Sequence, residues 1–270
     1  MKKSAKIFMC VLCSMAVMVS SAALGGCGNG KESVTVSGSS SVTPIMEKLA
    51  AEYEKTHDVR IRVNMSDSGT GIEDAQNGLN DFGMVSRALK PGETGVVGAT
   101  LCRDGIALIV HKNSAVADVR KADVKALYEN GTAIPDTAIT AAIGREAGSG
   151  TRAAFDELLK IEKYFSVGGD KDVAEITSTG GVMTTIAASP NSIGYISFGS
   201  LDDTVKALRL DGVACTAENI MNNTYALQRP FLIVRKENGT LSEAAQGFYD
   251  YILSEQAQTV ITKAGYISVK

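Results

Sequence analysis

Apolar and polar positions along this chain follow two periods that trade places repeatedly. Val59, Ile61, Val63 and Met65 are separated by single polar residues, the period of two expected of a strand with one buried face. Just before them Ile45, Met46, Leu49, Ala50 and Tyr53 fall on one face of a helix over 44–53, and Pro44 suits its first turn. The same reading predicts strands at 34–36, 82–85, 106–110, 139–143, 193–196 and 231–234. It predicts helices at 72–79, 122–128, 153–161 and 182–188, and two more at 243–253 and 256–264 that close the chain. In the helix over 153–161, Ala154, Phe155, Leu158 and Leu159 form the inward face.

Strand–helix alternation on this scale implies an α/β fold with helices layered on largely parallel sheets. Ligands of such folds bind beyond the carboxyl ends of strands, where loops lead into helices. No repeat of fixed period and no low-complexity tract interrupts the pattern. A two-lobed arrangement fits the length, with the chain crossing near His111-Lys112-Asn113 and again near Gln228-Arg229-Pro230.

The first residues stand apart. Lys2, Lys3 and Lys6 precede an apolar run over 7–19, and small residues then lead to Leu24-Gly25-Gly26-Cys27. This is the build of a secretory signal. Its last four residues resemble the lipobox of bacterial lipoproteins, in which the cysteine is lipidated and becomes the N-terminus. The expected division is a signal at 1–26, lipidation at Cys27 and a tether over 27–32. No other stretch is apolar for long enough to span a bilayer, so the expected mature protein is a domain held by lipid on the outer side of the cytoplasmic membrane.

The net charge is −3, and removing the three signal lysines takes it to −6. Such a surface disfavours nucleic acid as a partner. Any anion site must use local dipoles and one or two arginines. Beyond the signal only Cys102 and Cys215 remain, far apart in sequence, and they read as two separate thiols, with a disulfide the other option for an exported pair. His57 and His111 are the only histidines and read as surface residues. No metal-ligand spacing is present, and no cofactor is expected.

Three runs of glycine and small hydroxyl residues sit where helices should begin: Gly38-Ser39-Ser40-Ser41, Ser66-Asp67-Ser68-Gly69-Thr70-Gly71 and Gly148-Ser149-Gly150-Thr151. The free N–H groups and partial positive charge of a helix N-terminus can hold an anion. Three such ends with arginines nearby suggest a cage for a small oxyanion such as phosphate. Gly148 and Gly150 allow close backbone approach, Ser149 and Thr151 offer hydroxyls, and Arg145 can reach an oxyanion with two parallel bonds. The third run alone reads equally well as a capped helix with surface arginines.

Taken in order, Val36-Ser37-Gly38-Ser39-Ser40-Ser41-Val42-Thr43-Pro44, Ser68-Gly69-Thr70-Gly71-Ile72, Asp81-Phe82-Gly83-Met84-Val85-Ser86-Arg87 and Arg145-Glu146-Ala147-Gly148-Ser149-Gly150-Thr151-Arg152 resemble the four ligand loops of the substrate-binding lipoproteins of bacterial ABC phosphate importers. Ile193-Gly194-Tyr195-Ile196-Ser197, Arg229-Pro230-Phe231-Leu232 and Gly265-Tyr266-Ile267 extend the likeness over about residues 33–270. The resemblance implies a two-lobed periplasmic-binding-protein-like fold of type II with the ligand cleft between the lobes. Lobe I would comprise 33–112 plus 231–270, and lobe II 113–230. It implies a receptor and not an enzyme, with inorganic phosphate as ligand and the permease subunits and ATPase of the transporter as partners. By position it implies contacts from Ser39, Ser40, Ser41, Ser68, Ser86, Arg145, Ser149, Gly150 and Thr151. Arg87 either clamps the ligand or bridges the lobes through an acid.

Many family members carry an aspartate at the position of Ser86 and another at that of Ala147. A carboxylate only accepts hydrogen bonds, so it favours an anion that still holds a proton and repels a fully ionised one. Asp67 is the substitute candidate here, with helix capping its other reading, and Glu146 is second. Two other functions compete. An enzyme would need a lysine after the glycines or a serine with a histidine partner, and neither is evident. A receptor for sulfate, molybdate or tungstate fits the Ser86 and Ala147 departures.

Overall fold

The computed structural model describes residues 31–169 and 172–270. The signal segment, Cys27 and all but the end of the tether lie outside the described residues. In chain order the elements are β1 (Glu32–Ser39), α1 (Thr43–Glu54), β2 (Val59–Ser66), α2 (Ser68–Asn77), β3 (Phe82–Val85), β4 (Val96–His111), β5 (Asp118–Val119), α3 (Lys121–Asn130), β6 (Ala141–Arg145) and α4 (Gly150–Leu159). They continue with β7 (Ala174–Ile176), α5 (Thr179–Ala187), β8 (Ser192–Ser197), β9 (Val205–Ala207), β10 (Arg209–Leu210), β11 (Val213–Ala214), α6 (Ala217–Met221), β12 (Gln228–Lys236), α7 (Glu243–Ile252) and α8 (Glu255–Lys263).

One sheet carries the strand order β2-β1-β3-β12-β4-β8-β6-β7, with β9 also paired to β4. Its two flanks are parallel, as the alternation implied: β1 pairs in parallel with β2 and β3, and β6 with β7 and β8. The centre is antiparallel, because β12 runs against β3 and β4, and β4 against β8. The sheet is therefore mixed and less parallel than the sequence suggested. A small sheet of β11, β10 and β5 stands separately.

Two apolar cores sit along this sheet. One gathers Val34, Ile45, Leu49, Phe82, Leu101 and Phe248, with a small satellite around Ile72 and Val85. The other gathers Ile106, Leu108, Tyr128, Phe155, Ile186, Tyr195 and Leu227. Membership changes between Cys102 and Ile106 on β4, and between Leu227, just before β12, and Phe231 on it. The central antiparallel pair, β4 and β12, passes from one core to the other, as does the C-terminal segment at Tyr266 and Ile267. Among the described residues no helix is long and apolar enough to cross a membrane.

Several helices begin earlier than their apolar periodicity indicates. α2 starts at Ser68 and not at 72, α4 at Gly150 and not at 153, and α5 at Thr179 and not at 182. In each case a side chain caps the helix: Asp67 accepts from the Thr70 N–H, Ser149 from Arg152, and Ser178 from Gly181. Apart from Arg152, the extra first turns consist of glycine, serine and threonine. They bury no apolar stripe, so a periodicity reading passes over them.

Candidate functional site

Those first turns converge between the two cores. Ser39, at the end of β1, donates its hydroxyl to Ser86 Oγ at 2.9 Å. Ser68, the first residue of α2, accepts from the Ser86 N–H at 3.1 Å and lies 3.3 Å from Ser86 Oγ. These three hydroxyls belong to loops anchored in the first core. Facing them, from loops anchored in the second, are Thr151 at the start of α4 and Thr179 at the start of α5. Ser41 Oγ bridges the two sides, 2.8 Å from Thr151 Oγ1 and 3.0 Å from Thr179 Oγ1. Ser40 Oγ lies 3.3 Å from Thr179 Oγ1.

Arg145 is 2 % exposed at the end of β6. Its guanidinium donates to Ser40 Oγ at 3.1 Å and to Thr179 Oγ1 at 3.3 Å. The same group forms a double bond pair with Glu146, at 2.8 and 2.7 Å, and also reaches the Ile176 carbonyl. Arg145 thus pairs with Glu146 and also faces the hydroxyl cluster. Its peptide is clamped too. Its N–H donates to Tyr195 Oη at 3.1 Å, and its carbonyl accepts from Arg152 at 2.8 Å. The Tyr195 hydroxyl thus helps hold Arg145 in place and also bonds Tyr164 Oη at 2.6 Å. Burial pushes the Tyr195 hydroxyl pKa up, so it stays protonated.

Glycine is required where α4 meets the opposing loops. A Cβ on Gly150 would lie 2.2 Å from Ser68 Oγ and 2.7 Å from Ser86 Oγ. One on Gly148 would lie 2.5 Å from Asp67 Oδ1, and the Gly148 carbonyl accepts from the Gly69 N–H at 3.3 Å. The two sides therefore touch backbone to backbone. Ser149 is buried at the N-cap of α4 beside them.

Two expected residues are engaged elsewhere. Asp67 spends its carboxylate on Thr70, accepting from the N–H at 3.0 Å and from the hydroxyl at 2.8 Å. Arg87 forms a double bond pair with Glu93 at 2.7 and 2.6 Å, and also donates to the Ala88 carbonyl. Burial works to raise the Glu93 carboxyl, but bonds from Arg87 and the Lys90 N–H bring it below its ordinary value.

Sequence reasoning missed Thr179 and the Arg229–Asp104 pair. Thr179 carries the same signal as the other runs, Ser178-Thr179-Gly180-Gly181 ahead of a helix. Arg229, on β12, donates to Asp104 Oδ2, on β4, at 3.1 and 3.3 Å, and to the Ser86 carbonyl at 3.1 Å. Both partners are buried where those strands pass between the cores. Nothing local in the sequence marks that pair, since its members are 125 residues apart.

Among the described residues no cluster of histidine, cysteine and acids could hold a metal ion. Cys102 and Cys215 are both buried and free, and burial pushes both thiols up. His57 stacks on Tyr53 at 3.8 Å, and His111 accepts from the Asn113 N–H, so neither joins the cluster.

A family model described as a PBP superfamily domain matches residues 26–256. Phosphate-binding protein PstS 2 of Streptococcus agalactiae is 46% identical over 130 residues, which cover 46% of this chain and 44% of that protein. The match thus spans less than half the length of that curated relative. Phosphate-binding protein PstS of Bacillus subtilis is 29% identical over 308 aligned residues, covering 100% of this chain and 95% of its own length. A solved structure from Clostridium perfringens, described as a phosphate ABC transporter substrate-binding protein with bound phosphate, has a TM-score of 0.81 at 37% identity. It is covered over 100% of its length by 88% of this chain. An ABC-type phosphate transport receptor from Vibrio cholerae has a TM-score of 0.70 at 31% identity, over 87% of this chain and 99% of that one.

Proposed function

The chain belongs to the PBP superfamily, and on that premise we propose that it is a receptor that captures inorganic phosphate and hands it to the permease of an ABC importer. It binds and does not catalyse. One observation carries the reading: a buried guanidinium and seven buried hydroxyls, drawn from four helix N-termini and a strand end, meet between two separately packed cores. An oxyanion taken out of water needs every oxygen paired. Hydroxyls, first-turn N–H groups and one arginine provide that.

In this reading Ser39, Ser40, Ser41, Ser68, Ser86, Arg145, Ser149, Gly150 and Thr151 surround the anion, and Thr179 joins them. Asp67 caps α2 against Gly148, and Arg87 braces its loop through Glu93. The lobes follow the two cores, about 33–104 with 231–270 and about 105–230, so the first crossing lies nearer residues 103–105 than the expected 111–113. They close as rigid bodies about β4 and β12, the strands that both cores share. Cys27 carries the lipid that keeps the receptor at the outer face of the cytoplasmic membrane, within reach of the permease subunits and their ATPase. The relatives named for phosphate support this ligand, and the signal-like first 26 residues support the location.

Calorimetric titration of the protein with phosphate tests the reading. Arg145→Ala should weaken binding by at least tenfold, and Thr179→Val by about tenfold, given roughly 1.5–3 kcal/mol for a hydrogen bond to a charged group. Unchanged affinity in both variants, with the fold intact, removes the cluster as the binding site.

A further inference from the structure

The direction of each proton in the cluster can be read from the donors that have no choice. Arg145 and backbone N–H groups only donate. Ser40 Oγ receives Arg145 at 3.1 Å and the Thr179 N–H at 3.4 Å. Thr179 Oγ1 receives Arg145, Ser39 Oγ receives the Ser41 N–H, and Ser68 Oγ receives the Ser86 N–H. Lone pairs of four of the hydroxyls are thereby occupied by fixed donors, and their own protons point onward.

Next come the hydroxyl contacts. Ser39, Ser68 and Ser86 have three O–H protons and two mutual contacts. Ser40, Ser41, Thr151 and Thr179 have four protons and three mutual contacts. Each group therefore keeps one proton beyond its internal bonds. The neighbouring carboxylates all have other partners: Asp67 with Thr70, Glu146 with Arg145, Asp104 with Arg229, and Glu93 with Arg87. Each guanidinium is matched by its own acid, Arg152 included through Glu175.

Resting on the phosphate reading above, we infer that the site recognises its ligand chiefly through acceptor oxygens, so that it favours the tetrahedral oxyanion dianion with the fewest protons. A proton on the ligand meets carboxylates that already have partners and competes with hydroxyl protons left over from the internal bonds. Two consequences follow. The phosphate dianion binds better than the monoanion, and sulfate, which carries no proton near neutrality, is a competing ligand.

The charged groups around the cluster are Arg145 and Glu146 from β6 and its loop, Asp67 at the α2 cap, Arg152 on α4, Arg229 and Asp104 on β12 and β4, and Arg87 with Glu93 beyond β3. Asp156, on α4, has its carboxyl raised to about 6 by burial, so it titrates in the same range as phosphate. Sulfate does not titrate there and serves as the control for that group.

The experiment is titration of the protein with phosphate and with sulfate at pH 6 and pH 8. The inference expects phosphate affinity to rise about tenfold between the two, in step with the ionised fraction, as for any partly populated competent form. It expects sulfate affinity to stay level and to lie within about a hundredfold of phosphate at pH 8, a gap of about 2.8 kcal/mol. Ser86→Asp, which adds an acceptor-only group, should weaken sulfate at least tenfold more than it weakens phosphate at pH 6. Tight phosphate binding that is level or falls with pH, or failure of a thousandfold excess of sulfate to displace phosphate, overturns the inference and leaves the receptor reading standing. Binding of neither anion at either pH overturns both.

Discussion

Gly150→Ala should uncouple binding from stability. The new methyl carbon would lie 2.2 Å from Ser68 Oγ, 2.7 Å from Ser86 Oγ and 2.9 Å from Ser68 Cβ. Carbon atoms rest about 3.5–4.0 Å apart, so roughly 1 Å of separation must be found. Rotating the Ser68 hydroxyl away gives no relief, because its Cβ is also too close and its oxygen holds the Ser86 N–H. Overpacking of this kind costs about 1–3 kcal/mol. The clash lies between α4, packed in one core through Phe155 and Leu159, and loops packed in the other through Ile72, Met84 and Val85. The protein escapes it by leaving the two sides apart. That cost therefore falls on ligand closure, and phosphate affinity should drop about 5- to 150-fold at 1.4 kcal/mol per decade. Folding should not suffer, since alanine is favoured over glycine in a helix by up to about 1 kcal/mol. Calorimetry and thermal melts on the same samples read both quantities. Affinity within threefold of the parent protein, at unchanged or higher Tm, would refute the reasoning.

Two further predictions concern buried charge. Asp104→Ala leaves the Arg229 guanidinium buried with the Ser86 carbonyl as its remaining partner. Burial already pushes Asp104 up and Arg229 down in pKa, each against the pull of its partner. Breaking such a pair costs about 3–5 kcal/mol, to be read as a shifted urea midpoint; a loss below about 1 kcal/mol would mean water reaches the arginine. Asp156→Asn should change the pH dependence of stability. Burial raises the Asp156 carboxyl from 3.8 to about 6, against bonds from Tyr164 and Arg152, and its Oδ1 has no partner. The folded protein then holds a proton that the unfolded chain has released, so Asp156 lowers stability as pH rises from about 4 to 6 and keeps it lowered above. Allowing for its partial exposure, the effect is on the order of 1–2 kcal/mol. The asparagine variant should match the parent at pH 4 and equal or exceed it at pH 7.5 in urea melts. A difference that stays constant over that range would contradict the assignment.

How much of this was legible beforehand depended on the kind of signal. β3 appears at 82–85, as its apolar run indicated, because both faces of that strand are buried. The first ten residues of β4 did not read as strand, since Gly98, Arg103 and Asp104 break the apolar run. Arg103 and Asp104 sit where the strand leaves one core for the other, and there pairing with β12 continues while the apolar run does not. The start of α5 was hidden for the opposite reason. Thr179 faces the cluster, Gly180 is exposed and Gly181 packs against Ile176, so helical periodicity begins only at Val182.

The sequence by itself determined where glycine–hydroxyl runs lead into helices, because a cap and a first turn are local signals. It also determined that the anion must be met mainly by dipoles, since a net charge of −3 supplies no basic surface. Only the tertiary structure decided which arginine faces the cluster. Arg87 and Arg145 look alike in their motifs, yet one is turned to Glu93 and the other to Ser40 and Thr179. It also decided that Asp67 caps a helix, and that Ser41 meets Thr151 and Thr179 across 110 and 138 residues. A hydrogen bond needs its partners within about 3 Å in a set direction. For segments so far apart in the chain, that distance is set by the order of strands in the sheet, which local pattern does not encode.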